Sequence, residues 1–264
     1  MDDLRAKFLI SKYDRSVPRY TSFPTAVQFH ENLSDLSLED RYAAIPEGES
    51  VSIYIHIPFC HSLCHYCGCN TKIVNSIKPI EYYVDTLLKE FKLIGYFLPK
   101  KLKVSRIHFG GGSPNYASNF SLVRIINTLS EIFDLDDDTD IDMECDPRLL
   151  NQLSINTLSR MELSRISLGI QDFDEIVQQA INRIQPFDHV KRNVEDIRSA
   201  GIKHINFDLI TGLPQQTLDT VNTTLDKTIE LMPNRIAVFP YAHVPWMKPH
   251  QKLLEKSRTA FDSP

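Results

Sequence analysis

The sequence predicts an α/β fold in which parallel strands alternate with helices. Two observations carry that expectation. From residue 51 onward, β-branched and apolar runs of strand length recur at residues 51–57, 104–109, 141–144, 165–170, 204–210 and 235–239. Between them lie segments whose apolar residues repeat at helical spacing. Six strands alternating with helices imply parallel pairing and right-handed crossovers. Alternation alone leaves open whether the sheet is doubly wound or a barrel.

The elements follow in order. Residues 1–50 show little periodicity, and the prolines at 18, 24 and 46 suggest an extended arm. It reads either as a surface-packed leader or as a lid whose Arg19 is available to a substrate carboxylate. After the first strand, Val84, Leu87, Leu88, Phe91 and Ile94 form one helical face, and Leu122, Ile125, Ile126 and Leu129 form another. A further helix fits near residues 149–161. Asp188 suits the N-cap of a helix that carries Val190, Val194 and Ile197 and ends at Gly201. Thr217 suits the next cap, with Leu218, Val221, Leu225 and Ile229 inward and Pro233 just past the end.

A chain of 264 residues can bury one large core or two smaller ones. Hydrophobic and charged contents of 42% and 24% are those of a soluble globular protein. The net charge of −5 gives no basic field, so nucleic acid is not an expected partner. No apolar run approaches the ~20 residues of a membrane span, so no membrane is expected. The opening Met1-Asp-Asp-Leu-Arg carries acid where a secretory leader carries base, so a cytoplasmic location is expected. Thiols stay reduced there, and clustered cysteines read as metal ligands before they read as disulfides.

The chemistry concentrates in Cys60-His-Ser-Leu-Cys64-His-Tyr-Cys67. This spacing lets three sulfurs turn toward one point. Thiolates select zinc, copper(I) or iron–sulfur clusters. Structural zinc takes four ligands, normally from two separated pairs, and here there is one triplet with no second pair. A four-iron cubane on three cysteines keeps one iron open to a substrate or cofactor. Cys69 lies two residues beyond Cys67 and is expected not to be a ligand, its sulfur facing away from the metal. Cys145 is expected to pack as a small hydrophobe. His56, His61 and His65 read as local hydrogen-bonding groups rather than ligands.

Gly110-Gly111-Gly112-Ser113-Pro114 follows the second strand and admits a ligand against bare main chain. It lacks the Gly-Lys-Ser/Thr of a P-loop, and the dinucleotide fingerprint is absent as well. At later strand ends stand Glu144, Gln171 and Asp208, then Tyr241 and Ala242, with Arg183 after the fourth strand. Singly, each acid reads as a cap or turn former and Arg183 as a surface base. Together, at one end of successive strands, they read as a ligand site.

The cysteine triplet resembles the signature of the radical S-adenosylmethionine enzymes. Tyr54-Ile-His-Ile-Pro-Phe-Cys60, Cys67-Gly-Cys69-Asn70 and Pro18-Arg-Tyr-Thr-Ser-Phe-Pro24 are similar, more narrowly, to the oxygen-independent coproporphyrinogen III oxidase (dehydrogenase) family, over residues 13–249. The resemblance implies a partial (β/α)6 barrel of TIM type at residues 51–246, after the arm at 1–50 and before the start of a carboxyl-terminal region at 247–264. It implies a [4Fe-4S] cluster on Cys60, Cys64 and Cys67 and two molecules of S-adenosyl-L-methionine (SAM). The first SAM would be met by Tyr54, Gly111 and Glu144. The second would be met by Tyr66, Gly112, Ser113, Gln171, Arg183, Asp208 and Ala242.

The implied reaction splits the sulfonium to a 5′-deoxyadenosyl radical, which takes hydrogen from a propionate β-carbon. Loss of carbon dioxide and one electron leaves a vinyl group. Two propionates of coproporphyrinogen III would react in turn to give protoporphyrinogen IX in haem biosynthesis. The implied partners are that substrate and an electron donor such as a flavodoxin-like protein, with a monomeric full-length enzyme. Family members continue further, so the chain is expected to be truncated at its carboxyl end and to expose apolar surface. The alternatives are a non-catalytic haem- or porphyrin-binding relative that keeps the cluster, an inactive fragment, or a thiolate zinc module.

Overall fold

The structure, a computed structural model, describes residues 3–13, 37–46, 48–98 and 100–255. The chain divides into two compact units, Met1–Arg41 and Tyr42–Pro264. In the first, α1 (Asp3–Tyr13) is helical where the sequence suggested an extended arm. Its eleven residues contain neither proline nor glycine, and leucine, alanine, lysine and arginine are good helix formers. Arg19 and the motif at 18–24 lie outside the described residues. At α2 (Leu38–Ala43), Ser37 Oγ accepts from the Asp40 N–H at 3.1 Å, and Asp40 Oδ2 accepts from the Ser37 N–H at 3.0 Å. The pair forms a reciprocal cap.

The second unit runs β1 (Ser50–Ile57), β2 (Phe59–Cys60), β3 (Lys72–Ile73), α3 (Lys78–Phe97), β4 (Lys103–Gly111), α4 (Asn119–Ile132), β5 (Asp140–Cys145) and α5 (Gln152–Arg160). It continues with β6 (Arg165–Gln171), α6 (Glu175–Ala180), α7 (Phe187–Ser199), β7 (His204–Thr211), α8 (Leu218–Leu231), β8 (Arg235–Pro240) and α9 (Lys252–Glu255). Six strands form one sheet in the order β1-β4-β5-β6-β7-β8, every pairing parallel. Spatial order equals chain order, so each crossover steps the same way. A doubly wound sheet would reverse at a switch point. The unidirectional order is that of a barrel segment, and among the described residues no pairing joins β8 back to β1.

The period of two along each strand sorts side chains onto two faces. One face is apolar throughout. Ile55, Ile57, Ile107, Phe109, Met143, Ile166, Leu168, Ile205 and Phe207 are buried in one core with Val84 and Leu88 of α3, Leu122 and Ile125 of α4, and Val194 and Ile197 of α7. Each such full burial stabilises by about 1.5–3 kcal/mol. The opposite, concave face carries Tyr54, His56, Arg106, His108, Asp142, Glu144, Asn206 and Asp208. A polar lining on one side of an otherwise buried sheet marks where ligand is held.

Three expectations are corrected. Helix α7 is capped at Pro186, and Asp188 lies in its first turn rather than at the cap. Proline's fixed φ suits that entry, and an acid one turn in still faces the positive helix end. Strand β4 runs through Gly110 and Gly111 before turning, so the glycines close the strand rather than follow it. Thr217 does cap α8, through a capping box with Thr220, but the helix is rotated from the expected face. Its buried residues are Thr224, Thr228 and Leu231, while Leu218, Leu225 and Ile229 are exposed. The reason is Asp172 at the end of β6. This carboxylate is fully buried and accepts from Thr224 Oγ1 at 2.8 Å and Gln216 Nε2 at 2.6 Å. A buried carboxylate needs donors more than it needs leucines.

Candidate cofactor site at the carboxyl ends of the strands

The cysteine loop leaves β1 and is bracketed by the short β2–β3 ladder, which pairs Phe59 with Lys72 and Cys60 with Ile73. Two backbone bonds fasten β4's glycine turn to it. The Gly112 N–H donates to Ile57 O and the Ser113 N–H to Phe59 O, both at 2.9 Å. The approach is close enough to require glycine. A Cβ on Gly112 would lie 2.7 Å from Phe59 O and 2.9 Å from Cys60 Sγ. Gly111 has φ +118°, and a Cβ there would meet Ile57 O at 2.9 Å. Thus Gly111, Gly112 and Ser113 stand directly against the loop, and Ser113 Oγ donates to Cys60 Sγ at 3.6 Å.

The three thiols do not converge as expected on one point. Among the described residues no three Cys, His, Asp or Glu side chains gather closely enough for a single ion. A multinuclear cluster needs no such convergence, because each thiolate takes its own iron. Each sulfur is instead addressed separately. Cys60 receives Ser113, and buried Cys64 receives Arg183 Nη1 at 3.5 Å and Arg148 Nη2 at 3.9 Å. Cys67 Sγ accepts from the Cys69 N–H at 3.4 Å. The neighbouring Cys69 lowers the Cys67 pKa, and Cys67 raises that of Cys69. Three thiols, each with its own donor and none in a disulfide, fit a thiolate-held cluster.

The remaining expected residues all lie at this end of the sheet. Tyr54 of β1 is exposed, bonds His56 Nδ1 through its hydroxyl at 2.9 Å and stacks on His108 at 5.6 Å. Glu144 of β5 stands 3.5 Å from His108 Nε2. Gln171 ends β6 with φ +68°, at a register shift against β7. Asp208 of β7 accepts from Asn206 Nδ2 at 2.9 Å, and burial pushes its carboxyl pKa up. Tyr66 packs with Val177, Ile181, Leu213 and Leu254, and burial raises its phenol. Ala242 O, just past β8, accepts from Gln251 Nε2 at 3.2 Å. Arg183 is 6% exposed, and its donors reach Gly169 O, Asp146 and Cys64.

Several site residues escaped the sequence reading. His108 of β4 is held between Asp142 Oδ2 at 2.5 Å and Glu144, and Arg106 Nε reaches Asp142 Oδ1 at 2.6 Å. The Asp142 hydrogen bond, then that of Glu144, raises the His108 pKa to about 9. Asp146 and Arg148 follow Glu144 directly in sequence, where strand-end position was the available signal. Lys248, His250 and Gln251 donate to or bond the backbone oxygens of Cys69, Cys67 and Tyr66 at 2.7, 2.8 and 2.9 Å. No spacing rule links those residues to a loop some 180 positions earlier.

A family model described as the radical SAM superfamily matches residues 54–228, from Tyr54 through most of α8. The chain belongs to the radical SAM superfamily. Radical SAM membership implies a [4Fe-4S] cluster and SAM, the groups that the thiol loop and the polar strand ends suit. Anaerobic coproporphyrinogen III oxidase 1 of Cereibacter sphaeroides is 38% identical over 245 residues, covering 93% of this chain and 54% of that protein. The oxygen-independent coproporphyrinogen III oxidase of Pseudomonas aeruginosa is 40% identical over 243 residues, covering 90% and 52%. The solved coproporphyrinogen III oxidase of Escherichia coli, described as a radical SAM enzyme, superposes with a TM-score of 0.86. It is 33% identical and covers 96% of this chain and 57% of its own. The chain thus spans about half the length of the curated relatives it matches.

Proposed function

We propose that this chain carries the cluster- and SAM-binding part of an oxygen-independent coproporphyrinogen III oxidase. The reaction is oxidative decarboxylation of two propionates of coproporphyrinogen III to vinyl groups, giving protoporphyrinogen IX. The observation that supports it most is the likeness of over nine-tenths of this chain to such oxidases, with the thiol loop inside the shared stretch. No described helix is long and apolar enough to cross a membrane. A cytoplasmic monomer fed by a flavodoxin-like donor completes the reading.

The proposal gives Cys60, Cys64 and Cys67 to the cluster. It gives one SAM to Tyr54, Gly111 and Glu144. It gives a second to Tyr66, Gly112, Ser113, Gln171, Arg183, Asp208 and Ala242. When bound, these groups supply one-electron cleavage of a sulfonium and hydrogen abstraction from carbon. The chain's own residues bind and orient. Glu144 offers carboxylate oxygens suited to ribose hydroxyls or an ammonium, and the His108 imidazolium fixes where they point. Gly111 and Gly112 present main chain without side-chain obstruction. Asp208, half-buried beside Asn206, is a second acceptor across the concave face.

The experiment is anaerobic reconstitution followed by reduction. Four irons and four sulfides per chain, a reducible signal and SAM cleavage are expected. A Cys64→Ser variant is expected to lose cluster and cleavage together. Tightly bound zinc in place of iron and sulfide would overturn the cluster. Haem binding without SAM cleavage would favour a porphyrin carrier. Equilibrium dialysis of SAM would count one site or two.

A further inference from the structure

Cys64 is the most enclosed of the three loop thiols and carries an unusual charge environment. The turn after β5 begins with Asp146, whose carboxylate is 6% exposed. Arg148, two residues on, grips it with Nε at 2.9 and 3.2 Å and Nη2 at 2.6 Å. Arg183, from the segment after α6, reaches the same Oδ2 with Nη1 at 3.3 Å. Both guanidinium groups continue to Cys64 Sγ, Arg183 at 3.5 Å and Arg148 at 3.9 Å. Arg183 is also pinned by Gly169 O at 2.8 Å. Asn115 holds the other side of the turn: Nδ2 donates to Asp146 O, and Oδ1 accepts from the Asp146 N–H, each at 2.9 Å.

The arrangement is two cations around one anion, leaving one positive charge in excess beside a single sulfur. Burial pushes the Asp146 carboxyl up, but Arg183 and Arg148 outweigh it, and the group stays ionised. A buried guanidinium such as Arg183, with the half-buried Arg148 beside it, is costly unless it serves a neighbouring negative charge. The thiol alone is not such a charge, but a thiolate bound to iron is. Arginine rather than lysine suits the task, because its fork can hold Asp146 and still present an N–H to sulfur.

We infer that Arg148, seated on Asp146 beside Arg183, is a positioning residue that raises the reduction potential of the cluster through the Cys64 sulfur. This rests on the cluster assignment of the proposed function. Reduction adds an electron to an already anionic group. A fixed cation and an N–H directed at its ligand sulfur stabilise that added charge. Asp146 works against the effect electrostatically while holding Arg148 in place.

The test is an EPR-monitored redox titration of the reconstituted chain, with cluster content measured alongside. R148Q removes the cation and is expected to lower the midpoint. The reduced-to-oxidised ratio at fixed potential should fall on the order of tenfold, about 59 mV for one electron. R148K keeps the charge but loses the fork, and its midpoint should lie between the two. D146N removes the opposing charge and should move the midpoint upward. R124Q, remote on α4 where Arg124 pairs with Asp85 at 2.7 Å, should not move it.

The signs separate this role from a purely structural one. A hole left by R148Q would admit water, and hydration favours the more charged reduced state, raising the midpoint. An R148Q midpoint equal to or above that of the wild type, with full cluster content, overturns the inference and leaves the cluster assignment standing. Should R148Q take up no cluster, the R148K midpoint decides in the same way. A wild-type chain that takes up no cubane overturns both readings.

Discussion

At the scale of single residues, the site depends on atoms that are absent as much as on those present. Gly112 has no spare room: its hypothetical Cβ would meet the Phe59 backbone oxygen at 2.7 Å and the Cys60 sulfur at 2.9 Å. G112A is therefore expected to displace the cysteine loop and cost about 1–3 kcal/mol, as overpacking does. Iron content after reconstitution should fall with the melting temperature. His108 makes a second prediction. Its pKa is raised to about 9, from the ordinary imidazole value near 6.5, first by Asp142 and then by Glu144. A raised folded pKa stabilises fully below about 6.5 and is lost as pH rises through about 9. The stability of the wild type should decline between those limits, on the order of 1–3 kcal/mol. H108Q should flatten that decline, as urea unfolding across pH 6–10 would show. An NMR titration placing His108 near 6.5 would contradict the hold of Asp142 and Glu144 on its proton.

At the scale of elements, the sequence was most legible where apolar spacing and burial coincide. The six strands were found within one or two residues, because β-branched runs buried on one face have no other reading. The faces of α3 and α4 were also read correctly, since Val84, Leu87, Leu88 and Phe91, then Leu122, Ile125 and Leu129, are all buried. Helix α8 was misread because its inward stripe is threonine. No apolar pattern encodes the demand of Asp172, some 50 residues earlier, for donors. The two faces give opposite predictions. I229S, on the exposed face, should change stability by less than about 0.5 kcal/mol. Thr228, fully buried, has no hydrogen-bond partner for Oγ1. T228V keeps the shape, removes an unpaired hydroxyl and should stabilise by about 1 kcal/mol. Were α8 rotated onto its leucines, I229S would cost several kcal/mol instead. The cysteine loop shows the complementary limit. Spacing revealed three thiols, whereas the donors to Cys60 and Cys64 come from the turn after β4, the β5 turn and the segment after α6, which only folding brings together.

At the scale of the whole molecule, the sheet has two edge strands, β1 and β8. Among the described residues β1 pairs only with β4 and β8 only with β7, but β1 buries Ile55 and Ile57 whereas β8 buries none of its residues. Five of the six β8 residues are exposed, including Ile236, Val238 and Phe239. Beside it α8 turns out Leu225, Ile229 and Met232. An edge of free N–H and C=O groups with apolar side chains on both faces invites further pairing. The expectation of exposed apolar surface is met here, on the last strand. Charge on an edge strand is the usual protection. V238K should therefore raise the concentration at which the chain begins to scatter light, with little change in melting temperature, because residue 238 is already 54% exposed. A lysine at a buried strand position such as Leu168, fully enclosed, would instead unfold the protein. If V238K left the scattering threshold where it was, the bare edge would not be what limits solubility, and the polar concave face would be the next surface to test.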